Sequence, residues 1–319
     1  MVRTLAPMTE NLVVSVPEDE LKALLEAEPD LSDVEFVLWD AKTPPPRTSF
    51  DITVMPYLAP PEILGILDGV PTRLVQWQAI GVDDVGGHLP DGVVFANATT
   101  VHEAATAELA VGLALAAQRR IADAVRNADK HQWLPDFQPS LADRRVLLVG
   151  YGGVAKALES RLAPFEVELV RVASSTRTEQ NDAGQDVAVH GTDELKDLLP
   201  DADITIITLP LNDATEDLFD ADMIAAMPGD SLLVNVGRGG VVDTDALVDA
   251  LNAGTIRAAL DVVNPEPLPQ DHPLWDCPNL LITPHNGGDT SARLPRIAKL
   301  VHRQIDALRE GREPENLLS

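Results

Sequence analysis

The chain has 319 residues, with 24 Lys and Arg against 51 Asp and Glu and a formal net charge of −27, which excludes partners held by bulk positive charge, such as nucleic acid or an anionic membrane surface. Its 45% hydrophobic content argues against disorder, and its length favours two packed domains over one core. The single cysteine, Cys277, excludes an internal disulfide framework and a thiolate metal cluster, and points to a reducing compartment.

Residues Met1 to Glu10 lack a basic flank followed by an apolar core, so no leader or membrane anchor is expected there. Beyond them, short apolar runs alternate with helical patterns, the signature of strands joined by crossover helices in a mainly parallel sheet. The class is α/β. The predicted strands of the first third are Leu12 to Val16, Val34 to Leu38, Ile52 to Val54, Leu74 to Trp77 and Val93 to Phe95. Helical stretches run over Glu18 to Ala27 and Pro61 to Leu67, and Pro44, Pro45 and Pro46 mark a loop. From His102 to about Lys130 the chain carries no Pro and one Gly, and its apolar residues cover most faces in the middle, which predicts a buried connecting helix. The longest apolar run, Leu109 to Ala117, lies in it and is far short of a membrane span. A series of βα units follows, with strands at Arg145 to Val149, Val167 to Ala173, Ile204 to Leu209, Ser231 to Val236, Ala258 to Val263 and Leu280 to Thr283. The amphipathic tail from Thr290 to Arg312 is expected to fold back on the N-terminal third. The expectation is a soluble, cytoplasmic protein, whose acidity is equally compatible with a saline cytoplasm.

The strand Arg145 to Val149 runs straight into Gly150-Tyr151-Gly152-Gly153-Val154-Ala155 and then into a helix-forming stretch. Gly150 permits the tight turn and Gly152 lets a pyrophosphate approach the backbone. Ala155 stands where a third glycine allows helix and strand to pack closely. Free amides at the helix N-terminus then face the phosphates. Glycines serving turn geometry alone are the alternative, and the strand before and helix after them favour the dinucleotide.

With this loop the chain resembles the D-isomer-specific 2-hydroxyacid dehydrogenases. The likeness extends from about Gln76 to His285 and is carried by ordered segments: Ala79-Ile80-Gly81-Val82-Asp83, the pair Ala107-Glu108, the glycine loop, Asn235 to Asp243, Leu260-Asp261-Val262 with Pro265-Glu266-Pro267-Leu268, and Thr283-Pro284-His285. The resemblance implies two doubly wound parallel-sheet domains, the central one a Rossmann dinucleotide-binding domain over residues 101–287. Residues 1–100 with 288–319 would form the substrate-binding domain, with an interdomain cleft and a homodimer.

Reducing a 2-oxo acid requires a hydride for the carbonyl carbon, a proton for its oxygen and a cation to hold the carboxylate and polarise that oxygen. Arg238 follows the mostly apolar run Leu232 to Val236, so its side chain leaves the carboxyl end of a predicted parallel strand, where ligands bind in such sheets. Its guanidinium can grip oxygens with two directed bonds, which Lys cannot copy. His285 comes directly after a strand ended by proline, and Glu266 is its natural carboxylate partner, fixing the tautomer and favouring the protonated ring. By resemblance Arg238, Glu266 and His285 occupy the catalytic positions; without it a core histidine and a loop carboxylate would be the reading. The resemblance also places the backbone amides of Ile80 and Gly81 against the substrate carboxylate, and Leu209, Pro210 and Asp261 against the cofactor, with Asp261 at the nicotinamide carboxamide. Asn97 is a possible further contact. His272 is expected to pack a turn, and His102, His131 and His190 lack a carboxylate at meaningful spacing. No cluster has metal-ligand spacing, and no metal is expected. Asn286 and Gly287, and Trp77 and Gln78 before the substrate loop, depart from the family pattern and put substrate identity in question.

Past the strand Val167 to Val172 the chain reads Ala173-Ser174-Ser175-Thr176-Arg177-Thr178, with no acid to take the ribose hydroxyls of NAD. Ser174, Ser175 and Arg177 can instead receive a 2′-phosphate, so NADP(H) is expected over NAD(H). The whole reading is an oxidoreductase reducing a small 2-oxo acid, of glyoxylate or hydroxypyruvate size, to the D-2-hydroxy acid. Alternatives on the same fold are a dinucleotide-sensing regulator or corepressor and, less favoured, a formate or phosphite dehydrogenase.

Overall fold

Consecutive side chains of a strand point to opposite faces, so a strand apolar throughout must be covered on both sides. The structure is a computed structural model that describes residues 11–83, 85–90 and 92–318; the stretch Met1 to Glu10 lies outside them. The chain divides into two compact units, one holding the residues up to His102 together with those from Ser291 onward, the other Glu103–Thr290.

In the first unit β1 (Val13–Val16), β2 (Glu35–Leu38), β3 (Phe50–Val54), β4 (Thr72–Gln76) and β5 (Phe95–Ala96) form a parallel sheet in the order β2-β1-β3-β4-β5. Val14, Val16, Ile52, Val54 and Leu74 pack on one side with Leu21 and Leu25, which lie one turn apart on α1 (Asp19–Glu26). Val75, Trp77 and Phe95 join Leu64 and Leu67 of the 3₁₀ turn Pro61–Leu67 on the other.

The second unit begins with α2 (Glu103–Gln118) and α3 (Ile121–Asp129). It continues through β6 (Arg145–Val149), α4 (Gly153–Leu162), β7 (Glu168–Ala173), β8 (Arg177–Gln180), β9 (Asp186–Gly191), α5 (Leu195–Leu198) and β10 (Ile204–Ile207). It ends with α6 (Ala221–Ala225), β11 (Leu232–Asn235), α7 (Thr244–Asn252), β12 (Arg257–Leu260) and β13 (Leu280–Ile282). The strand order is β13-β12-β11-β10-β6-β7-β9-β8, and every pairing is parallel except that of β8 with β9. Leu147, Val149 and Leu233 serve one core, and their neighbours Val146, Leu148, Leu232 and Val234 serve the other. This two-sided demand is why these strands read as unbroken apolar runs.

Helix α8 (Arg293–Glu310) returns the tail to the first unit. Its Gln304, fully buried, donates to Gln76 Oε1 at 2.9 Å and to the Glu315 carbonyl at 2.9 Å, and it accepts from the Glu315 amide at 2.8 Å. A buried amide with its partners supplied costs little and fixes the docking register. Past the helix, Leu318 N donates to Phe95 O and covers the β5 edge.

Two sequence expectations need correction. The stretch His102 to Lys130 is two helices, broken at Arg120, which takes a left-handed backbone at φ 46°. The break has a tertiary cause: Arg257, 6% exposed on β12, donates to Gln118 Oε1 at 2.7 Å and reaches the Ala117 carbonyl, holding the end of α2. Only α2 is buried; α3 has no buried residue. The second concerns Ser174 to Gly191, where the irregular strand exit ends at Thr176 and an antiparallel hairpin of β8 and β9 follows. Its polar alternation marks a strand with one face in water, which an apolar-run criterion passes over. Among the described residues no helix is long and apolar enough to cross a membrane.

Candidate active site

The glycine loop joins β6 to α4. Gly150 has φ +95° and lies against β10, where a Cβ would stand 2.9 Å from Thr208 Oγ1, so no other residue fits this turn. Helices α6 and α7 start with Asp220 and Asp243 capping their first amides, whereas α4 starts at Gly152 with no side-chain cap. A Cβ on Gly152 would meet nothing within 4 Å. Uncapped amides facing open space fit a pyrophosphate, the group such a helix start holds best. On Gly153 a Cβ would lie 2.9 Å from Glu103 Cγ, so this glycine serves the packing of α4 on α2. Val154 is half-buried in the first turn and Ala155 wholly buried under it.

Tyr151, 5% exposed, turns its ring inward. Its hydroxyl donates to Glu159 Oε2 at 2.5 Å, and Glu159 also receives Arg171 through two bonds of 2.8 Å and Asn181 Nδ2 at 2.7 Å. Burial, reinforced by the Glu159 carboxylate, pushes the Tyr151 hydroxyl up to about 12. Burial by itself would raise the Glu159 carboxyl, but the bonds from Arg171, Tyr151 and Asn181 bring it down to about 2. Only the backbone of Tyr151 is left for a cofactor. Ser174 and Ser175 are exposed at the carboxyl end of β7. Arg177 stands on β8, donates to the Ser175 carbonyl at 3.2 Å and is bonded to Glu179, whose other oxygen lies 2.8 Å from Lys156 Nζ on α4. Leu209 and Pro210 follow the end of β10. A Cβ on Gly237 would stand 2.5 Å from the Leu209 carbonyl, so the exits of β10 and β11 meet there.

Arg238 leaves the carboxyl end of β11, half-buried, on a turn held by Asn235, which is 1% exposed. Asn235 accepts from Gly237 N at 3.0 Å and donates to the Arg238 carbonyl at 2.9 Å. Gly239 is required next, because a Cβ would fall 1.9 Å from Val263 O. His285 Nδ1 is hydrogen-bonded to Glu266 Oε1. The Glu266 bond raises the His285 pKa against burial, which acts in the opposite direction together with the Arg238 charge. In Glu266 burial raises the carboxyl, but the His285 bond and charge, with Arg238 behind them, leave it lowered. Arg238, Glu266 and His285 therefore act electrostatically on one another.

Asp261 follows the end of β12. It is 2% exposed, and its carboxylate is committed to the His285 loop, accepting from Thr283 Oγ1 at 2.6 Å, Asn286 N at 3.1 Å and Gly287 N at 2.9 Å. Its carbonyl accepts from His285 N at 2.8 Å. A Cβ on Gly287 would stand 2.9 Å from Asp261 Oδ2, so this departure from the family pattern keeps a close approach open.

In the first unit, the loop after β4 is braced by Asn97, which donates to Ile80 O at 2.9 Å; the side chain expected as a possible substrate contact is committed to this loop. Among the described residues no group accepts from the amides of Ile80 and Gly81. Trp77 and Gln78, which depart from the family pattern, belong to the interior at 6% and 1% exposure, and Gln78 is spent on Met55 O and Arg293. His272 packs its turn, accepting from Leu274 N. His190, expected to lack a carboxylate at meaningful spacing, stands on β9 with Glu194 at 2.8 Å in the 3₁₀ turn that follows the strand. A ligand-spaced group also appears where the sequence shows none: Glu28, Asp30 and His302 bring ligand atoms within 4.8 Å on an exposed surface.

Comparison with known proteins shows the family. The family profile described as "D-isomer specific 2-hydroxyacid dehydrogenase, NAD binding domain" matches residues 111–287. The chain is 31% identical to a glyoxylate reductase of Thermofilum pendens over 80% of its own length and 77% of the relative's. It is 34% identical to a glyoxylate/hydroxypyruvate reductase B of Pectobacterium atrosepticum over 72% of each chain. The chain belongs to the D-isomer-specific 2-hydroxyacid dehydrogenase family. Among solved structures, a D-isomer-specific 2-hydroxyacid dehydrogenase of Xanthobacter autotrophicus in complex with NADPH and MES superposes with a TM-score of 0.78 at 25% identity, covering 98% of both chains. An NADPH-dependent glyoxylate/hydroxypyruvate reductase of Sinorhizobium meliloti, in complex with NADP and malonate, gives 0.75 at 25% identity and 97% of both. The second unit of this dehydrogenase is thus a Rossmann domain, and its candidate residues follow the carboxyl ends of β6, β7, β10, β11, β12 and β13, with Arg177 on β8. Asn235, Lys156 and Glu179 escaped the sequence reading. Asn235 lay inside a recognised motif with no visible task, and the other two meet only through the β8–β9 hairpin.

Proposed function

We propose that this dehydrogenase reduces a small 2-oxo acid, of glyoxylate or hydroxypyruvate size, to the D-2-hydroxy acid, with NADP(H) preferred. The observation that carries the reading is the His285–Glu266 pair, its ring nitrogen bonded to a carboxylate while the Arg238 charge acts on both. The nicotinamide, when bound, supplies the hydride. His285, kept protonated by Glu266, gives its Nε2 proton to the carbonyl oxygen as charge builds there. Arg238 holds the carboxylate and polarises the same oxygen through its planar fork. The Ile80 and Gly81 amides, which no described group uses, suit a second hold on the carboxylate. Gly150, Gly152, Gly153 and Val154 would line the pyrophosphate, and Ser174, Ser175 and Arg177 the adenosine ribose. Support for NADP(H) comes from the acid-free exit of β7 and from the relatives solved with NADP or NADPH.

The same reading includes a homodimer in a reducing cytoplasm. Of eleven large apolar side chains exposed among the described residues, Ile121, Val125, Trp133, Leu134 and Phe137 fall in one stretch, more than an isolated surface normally carries.

The test is a panel of 2-oxo acids with NADPH and with NADH, followed by loss of the nicotinamide absorbance. Glyoxylate or hydroxypyruvate should lead, with NADPH at least roughly tenfold better in kcat/KM, which is about 1.4 kcal/mol. No oxidation of either cofactor with any 2-oxo acid would sink the reading.

A further inference from the structure

The exit of β7 carries no acid in sequence, yet folding brings one to it. Glu179 lies on β8, on the same side as Arg177 two residues before it, and α4 presents Lys156 to that side. One carboxylate oxygen of Glu179 lies 2.8 Å from Lys156 Nζ and the other is bonded to Arg177 Nε. The three side chains remain partly open to solvent, with 34% of Lys156, 35% of Arg177 and 21% of Glu179 exposed. Arg177 in turn donates to the Ser175 carbonyl, which ties the cluster to the loop. With both oxygens committed to cations, Glu179 is not offered to ribose hydroxyls as an acid at the strand end would be. Its negative charge nevertheless cancels part of the field that an incoming phosphate would meet.

We propose that Glu179 is a specificity-determining residue for the cofactor: it holds Lys156 and Arg177 as a partly neutralised clamp, one net positive charge beside Ser175, and so limits the preference for a 2′-phosphorylated adenosine. The two cations provide the attraction, and the carboxylate sets how much of it is available. The Lys156 and Arg177 bonds keep the Glu179 carboxyl below its usual range, so the restraint is fully charged at neutral pH. This proposal deepens the cofactor reading above and rests on the exit of β7 being the adenosine-ribose end.

Calorimetric titration with adenosine 2′,5′-bisphosphate and with AMP tests it without any turnover, because the two probes differ by the 2′-phosphate alone. Glu179→Gln should tighten adenosine 2′,5′-bisphosphate by roughly five- to tenfold while AMP stays within about twofold. The gain should shrink as salt is raised, since the groups are partly exposed. Glu168→Gln, which removes the same charge at the opposite end of β7, should change neither probe; a gain there equal to that of Glu179→Gln would reduce the effect to net charge and overturn the proposal. Lys156→Gln should lose part of the 2′-phosphate increment. A thermal midpoint for each variant confirms that the domain is folded. If the wild type binds both probes equally and Glu179→Gln still gains, the NADP(H) preference falls and the role of Glu179 stands. An unchanged or weaker affinity of Glu179→Gln for the 2′-phosphorylated probe, or no binding of either probe by any variant, overturns the proposal.

Discussion

His285 combines two unusual conditions, a left-handed backbone at φ 48° and a side chain bonded to a carboxylate. A non-glycine residue keeps such a backbone only where its surroundings over-determine it, and Asp261 does so by holding the residues on either side through its carboxylate and His285 itself through its carbonyl. The ring is thereby aimed by the backbone and tuned by Glu266. Replacing His285 with Ala should reduce kcat by about 10²–10⁴-fold, the usual contribution of a general acid, and leave cofactor affinity nearly unchanged. Stopped-flow or steady-state rates would check the first and fluorescence titration the second, and an unaltered kcat would remove His285 from the chemistry. In the reduction direction the ring must carry its proton. Glu266 raises the His285 pKa, so Glu266→Gln lowers it and the alkaline limb of the kcat/KM profile moves to lower pH. Superimposable profiles for variant and wild type would show that the pair does not govern the proton.

At the scale of elements, the glycine loop depends on what lies beneath it. Tyr151 anchors the loop to α4 through Glu159, and Glu159 joins α4 to β7 through Arg171 and to the β8–β9 turn through Asn181. Glu159 and Arg171 are 6% and 14% exposed, so taking the carboxylate away strands a buried guanidinium. Glu159→Gln should cost roughly 3 kcal/mol in urea unfolding at neutral pH, in line with a carboxyl displaced from 4.5 to about 2. Because this pKa is depressed by folding, the stabilisation is complete above about pH 4.5 and fades as pH falls through about 2. The gap between variant and wild type should therefore narrow in acid. A gap of the same size at pH 2 and pH 7 would mean that packing, and not charge, holds these elements together.

At the scale of the molecule, the stretch from Arg119 to Phe137 stands apart from a chain of net charge −27. It carries Arg119, Arg120, Arg126 and Lys130 against Asp123, Asp129 and Asp136, along with Trp133 and Phe137, each 93% exposed. A near-neutral apolar segment on an acidic protein suits a second copy of the same chain, where rings are buried and basic groups meet carboxylates. Sedimentation velocity should find a dimer for the wild type and a monomer for a Trp133→Ser, Phe137→Ser double variant. A double variant that sediments with wild type would move the interface elsewhere.

The amino-acid sequence by itself determined what depends on near neighbours. Apolar runs announced the strands β6, β10, β11, β12 and β13, the glycine spacing between a strand and a helix announced the loop after β6, and strand-end positions placed Arg238 and His285, to which only the family resemblance gave a role. Such features are local, because period, turn geometry and strand exit are all set within a few residues. Tertiary structure alone decided the break at Arg120, imposed by Arg257 from β12, and the commitment of Asp261 to the His285 loop. It also decided the meeting of Glu179 with Lys156 and of Glu28 and Asp30 with His302. In each case the partners lie far apart in the chain or in a strand whose exposed face hides its pattern, so which charges meet depends on how the elements pack and not on their spacing.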